Sequence, residues 1–209
     1  MYTTHLLTLN CIGIFASLLM FSGDMFLYFT KKDFKNYNAL RTQIMRDIPL
    51  WRLTLGGYIG PFAAFFYAIA FLQISLIVHE QYKMLGFIIS GLFVLGVIVG
   101  GAYHSHYTYL GIISKTGNTD VFNAILKPAN LLGVIYMLPL SLGAVLLSVL
   151  IILGKTIFPF WFVFFSPAVT VSLMIPWRYL PQPFRVILYG GWSNLLCFIY
   201  FALSLLFLL

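Results

Sequence analysis

The sequence predicts an all-α, polytopic integral membrane helix bundle with about six transmembrane helices. Three observations carry this reading. Of 209 residues, 61% are hydrophobic and only 8% charged, against about 25% charged in soluble domains. A soluble fold of this size cannot hide so much apolar surface, so lipid is the expected solvent for most of it. The apolar residues also fall into stretches of spanning length, divided by short polar connections that hold most of the charge. The length suits a single transmembrane domain over residues 1–209, with no room for a second, soluble one.

The first helix is expected over residues 6–29, roughly 36 Å at about 1.5 Å per residue. No positive segment and no small-x-small cleavage site precede the charged loop, so it reads as a retained helix rather than a cleaved signal peptide. The long polar connection that follows carries a stretch of helical character, Asn38 to Met45, placed along the membrane surface. The second helix is expected over 55–78. Pro61 then falls in its first turns, where a missing N–H costs little, and Gly56, Gly57 and Gly60 allow a close neighbour. The third, 84–113, is long enough to project past the hydrocarbon or to break near Gly100 and Gly101. Val121 to Lys127 reads as a short interfacial helix. The fourth helix, 129–153, should kink at Pro139. The fifth covers 158–175, a proline-rich basic loop follows, and the sixth covers 186–209.

Of the 12 Lys and Arg residues, all but Lys83 and Lys155 fall in the connections after the first, third and fifth helices. The positive-inside rule puts those connections in the cytoplasm and both termini outside it, in the cell inner (plasma) membrane. The net charge of +7 is thereby a topology signal, and no nucleic-acid partner is expected. Cys11 and Cys197 lie within predicted helices and outside any CxxC, so they read as small apolar residues without a disulfide or metal role.

Ionisable groups at membrane depth are costly and are functional-site candidates. Asp24 near the end of the first helix, His104 and His106 in the third, and Trp192, Ser193 and Asn194 in the sixth share one level near the cytoplasmic leaflet. Gly56, Gly57, Gly60, Gly100, Gly101, Gly190 and Gly191 fall at that level too, while the outer half reads as almost purely apolar. Polar groups and small residues in one layer are what a pocket open to the cytoplasm or inner leaflet needs. His104 and His106 point about 200° apart on a regular helix. His104 shares its face with Gly100 and Gly101 and is the inward residue. The i,i+2 spacing opposes a metal site on an unbroken helix, no GxSxG, HExxH or P-loop occurs, and no cofactor is expected.

The segments Ser22-Gly23-Asp24-Met25-Phe26-Leu27-Tyr28, His104-Ser105-His106 and Gly190-Gly191-Trp192-Ser193-Asn194 together resemble a group of small bacterial multi-pass membrane proteins of unknown function. That resemblance brings no activity with it.

Three readings stay open. In a lipid-modifying enzyme, Asp24 orients His104 as acid/base, and Ser193 or a water is the nucleophile. Tyr103, Trp192, Asn194 and His106 then bind the ligand, and Arg178 and Arg185 attract an anionic headgroup. In a proton-coupled carrier, or a small-molecule- or lipid-binding membrane protein without catalysis, the same Asp and His titrate. A path across the membrane would then need polar groups at more than one depth. In an assembly protein the glycine faces serve packing or a homo-oligomer, and Asp24 and Asn194 are interhelical glue. Membrane lipids are partners in all three.

Overall fold

A computed structural model describes residues 2–34, 36 and 39–209. Lys35 of the basic connection and Asn38, where its surface helix was expected to begin, lie outside them. Among the described residues the chain is helical, with a single isolated bridge between Val78 and Thr156. Five helices are long and apolar enough to cross a membrane: α1 (Tyr2–Tyr28), α2 (Leu50–Ala70), α3 (Lys83–Ser114), α4 (Thr119–Ile152) and α5 (Gly191–Leu208). After a tight turn at Phe71 and Leu72, α2 continues as Gln73–Ile77, and a π-turn, Val186–Gly190, leads into α5.

The segment expected as a fifth helix, 158–175, is apolar but broken. Phe160–Phe165 is 3₁₀, Pro167–Thr170 is one α turn, Val171–Leu173 is 3₁₀ again and Met174–Trp177 a last α turn. Pro159, Pro167 and Pro176 supply no N–H and disfavour helical backbone in the residue before them. Ser166, before Pro167, is extended at φ −68°, ψ 150°. The segment nevertheless runs the length of the bundle. At one end the Ile157 N–H donates to the Ile77 carbonyl (2.9 Å). Near the other, the Trp192 indole donates to the Thr170 carbonyl (2.8 Å). The described chain thus passes along the bundle six times, five of them as continuous helix.

Contacts run α5–α1–α2–α3–α4 in sequence, and the broken segment packs against both α4 and α5, so the passes close into a ring. Stacked aromatics fill the centre toward the turn between α2 and α3: Phe71 on Phe93 at 4.4 Å and Phe158 on Phe162 at 4.0 Å. The outer faces carry large apolar side chains such as Phe62, 67% exposed, and Leu138, 65% exposed. Such a surface calls for an apolar environment.

Helices α2 and α4 start well ahead of the expected positions. Helix α2 opens at Leu50 because Pro49 fixes its own φ and its carbonyl accepts from the first turn, from Arg52 N (3.1 Å) and Leu53 N (3.2 Å). Helix α4 begins at Thr119 and runs through Pro128, so the interfacial helix and the fourth span are one element. Asn118 caps it, its Oδ1 accepting from Val121 N at 3.1 Å. Asn118→Ala is expected to cost about 1 kcal/mol and to speed amide exchange in the first turn of α4, read by hydrogen–deuterium exchange.

The connection between α1 and α2 is tied down on all sides. Lys32 donates to Asp47 at 2.8 Å, which holds that carboxyl below the usual carboxylate range. Lys115 donates to the carbonyls of Arg46 and Ile48. Arg185 binds Asp33 and the Phe34 carbonyl, with its guanidinium over the Phe34 ring at 4.6 Å. Leu40, Ile44 and Met45 are buried beneath, against Leu27, Leu53 and Tyr107.

Candidate functional site

The site is built where α1, α2, α3 and α5 meet. Helix α2 prepares it through Pro61, which now lies inside the helix and not in its first turns. Without an N–H, Pro61 cannot bond the carbonyl four residues back, and that carbonyl, Gly57 O, accepts from Ser105 Oγ of α3 at 3.3 Å. One turn earlier Thr108 Oγ1 donates to Leu53 O at 2.8 Å. The glycines bring backbones into contact. A Cβ on Gly56 would stand 2.9 Å from both Gly23 O and Leu27 N of α1, and one on Gly101 would stand 2.7 Å from Ala64 Cβ. This is small-residue packing of the kind that draws apolar helices together. The glycines expected to line a pocket hold a packed junction.

Within it, Asp24 and His104 are only 7% and 8% exposed. Asp24 Oδ1 lies 3.6 Å from His104 Nδ1, too far for a direct hydrogen bond but close enough for strong Coulomb attraction. Asn194 Nδ2 donates to Asp24 Oδ2 at 2.7 Å, and the Tyr67 hydroxyl donates to Asn194 Oδ1 at 3.1 Å. His104 Nε2 is 3.0 Å from Gly56 O. A carbonyl only accepts, so Nε2 carries a hydrogen. Nδ1 facing a carboxyl then leaves two favourable states: imidazolium beside carboxylate, or neutral imidazole beside carboxylic acid. Both hold one proton between the two residues and have zero net charge.

The remaining candidates are dispersed. Ser193 is exposed and Asn194, its neighbour, takes the place at Asp24. Tyr103 joins a second cluster, with its hydroxyl 2.9 Å from that of Tyr107 and 3.4 Å from Arg41 Nη2. Arg41 also donates to Tyr107 (2.8 Å) and Asn130 (3.3 Å). His106 Nδ1 turns back to Ala102 O at 2.9 Å. Trp192 is buried on Thr170 O and edge-on to Trp177. Arg178 is exposed over the Tyr179 ring, and Arg185 serves the loop described above.

The half of the bundle toward the turn between α2 and α3, expected to be almost purely apolar, is not. Asn10, Gln73, Tyr200 and Ser204 are fully buried there, and Ser204 Oγ donates to Gln73 Oε1 at 3.4 Å. Asn10 Oδ1, Gln73 Nε2 and the Tyr200 hydroxyl have no hydrogen-bond partner among the described residues. Ser17 and Cys197 flank the Tyr67 hydroxyl between the two levels. The lone amides in apolar runs, Asn10 and Gln73, are the sequence signal for this second level. Tyr67 carries no such signal, because a tyrosine in an apolar helix reads as packing.

Fold and site define a small helical bundle of membrane-spanning length with a buried carboxylate–histidine pair at its centre. The chain belongs to the family of unknown function DUF6796, whose model matches residues 1–209. No curated protein and no solved structure shows a significant match.

Proposed function

We propose that this chain is an integral membrane protein that binds and releases a proton at the Asp24–His104 pair, working as a proton-coupled carrier. The observation that carries the reading is the buried pair: His104 Nε2 sits on a carbonyl that can only accept (3.0 Å), while Nδ1 faces Asp24 at 3.6 Å. An intramembrane pair of this kind is the usual element of a proton relay. The buried polar groups at a second depth, Asn10, Gln73 and Ser204, support passage over a dead-end site. A lipid-modifying enzyme is less well supported, because Ser193 is exposed and Arg178 and Arg185 do not converge on the pair. The basic end of the bundle is the cytoplasmic end, and both termini face out from the inner membrane, by the charge bias of the connections.

The test is infrared difference spectroscopy of the protein in lipid, across about pH 5 to 8, where histidine ordinarily changes charge. A protonation-linked carboxyl band that disappears in Asp24→Asn and shifts in His104→Gln is expected. Spectra identical in wild type and both variants would sink the proposal.

A further inference from the structure

We infer that the groove between α1 and the start of α2 holds a phospholipid with an acidic headgroup, its acyl chain along α1 and its phosphate on Arg52. The inference rests on the membrane reading but not on the proton pair. The groove has a volume of about 400 Å³ and is lined by Phe21, Ser22, Met25, Phe26, Phe29 and Arg52. The α1 residues recur at i, i+4 and i+8, with two neighbours beside them, so they form one face of that helix. The face runs roughly 12 Å at about 1.5 Å per residue. It is apolar except for the Ser22 hydroxyl, which is spent on Leu18 O at 2.8 Å.

Arg52 is the one charge in the lining. Its Nη2 donates to Met25 O (2.9 Å) in the last turn of α1 and to Phe29 O (3.3 Å) just past it. This fixes the guanidinium, and among the described residues its Nε and Nη1 hydrogens meet no acceptor. Among the described residues no carboxylate pairs with it: Asp33 is held by Arg185, Asp47 by Lys32 and Glu80 by Lys83, and Asp24 faces the interior. Trp51, next to Arg52, is 61% exposed and edge-on to Phe26 at 6.0 Å. An exposed Trp at a helix start marks the headgroup level. A fixed cation at that level, above an apolar trough, complements a phosphodiester on an acyl chain, and a net anionic headgroup is favoured by the surrounding basic connections.

The experiment is native mass spectrometry of the full chain released from mild detergent, with equal phosphatidylglycerol and phosphatidylcholine added. Retention of phosphatidylglycerol about fivefold above phosphatidylcholine is expected. Arg52→Gln should bring the two to parity. Because Arg52 also caps α1, Ser22→Trp gives a second variant: it fills the groove from an exposed position, leaves the cap intact and should lower phosphatidylglycerol retention equally. Equal retention in wild type, or a preference surviving both variants, overturns the site. So does a dimer abolished by Ser22→Trp, which would give the groove to a second copy. A protein that floats with liposomes yet shows no headgroup preference leaves the membrane reading standing. One that does not float removes both readings.

Discussion

Gly56→Ala is expected to destabilise the bundle by about 1–3 kcal/mol, the cost of overpacking a tight interior. Beside the Leu27 side chain, the added methyl meets backbone that cannot swing aside: Gly23 O and Leu27 N of α1, each at 2.9 Å. Relief requires α1 and α2 to separate, and that moves the carbonyl on which His104 Nε2 rests. The control is Gly91→Ala. Gly91 is exposed on α3, and a Cβ there meets nothing within 4 Å. In a helix interior alanine is preferred over glycine by roughly 0.5–1 kcal/mol, so this variant should be neutral or slightly stabilised. Thermal unfolding in detergent, followed by far-UV circular dichroism, compares the two. Similar melting temperatures would mean that the junction is looser than its backbone spacing implies.

The helical bundle is legible in the sequence because apolar runs of spanning length leave little else to form. The ends of the helices are less so. Arg52 looks like loop in the sequence, yet it lies in the first turn of α2, where its guanidinium reaches the Met25 and Phe29 carbonyls at the end of α1. Those partners lie 27 and 23 residues back along the chain, beyond the reach of any local pattern. The broken segment reads as a helix by hydropathy, and only its prolines signal otherwise. The level shared by Asp24, His104 and Asn194 follows from counting depth along antiparallel helices. Which face each residue takes does not. The π-turn Val186–Gly190 inserts an extra residue per turn ahead of α5, and its phase decides that Asn194 meets Asp24 while Ser193 stays exposed. Asn10 and Gln73 are conspicuous amides in their runs, but their common level depends on how α1, α2 and α5 pair. Gly13 against Phe201 and Gln73 against Ser204 fix that register.

Asp24→Ala should cost about 3–5 kcal/mol, the usual penalty for leaving one member of a buried pair alone. It strips the acceptor from Asn194 Nδ2 and the counter-charge from His104, both within a junction with little access to water. His104→Ala strands the carboxyl in the same way. If the two residues share a proton, Asp24→Ala/His104→Ala costs less than the sum of the single variants, with a coupling of about 0.5–3 kcal/mol. Strict additivity would mean two independent packing contacts. The cycle alone does not separate function from architecture, since glue couples as well as a relay does. The separating variant replaces the group by apolar residues: Asp24→Leu, His104→Leu and Asn194→Leu together. Buried ion pairs exchanged for well-packed apolar side chains are often neutral or more stable by about 1–4 kcal/mol. The triple variant is therefore expected to melt no lower than wild type while its pH-dependent infrared carboxyl band vanishes. A bundle that gains nothing in stability from its acid and imidazole keeps them for the proton they hold. Should the triple variant instead fail to fold while each single variant folds, the pair and its amide are the architecture itself, and the carrier reading falls.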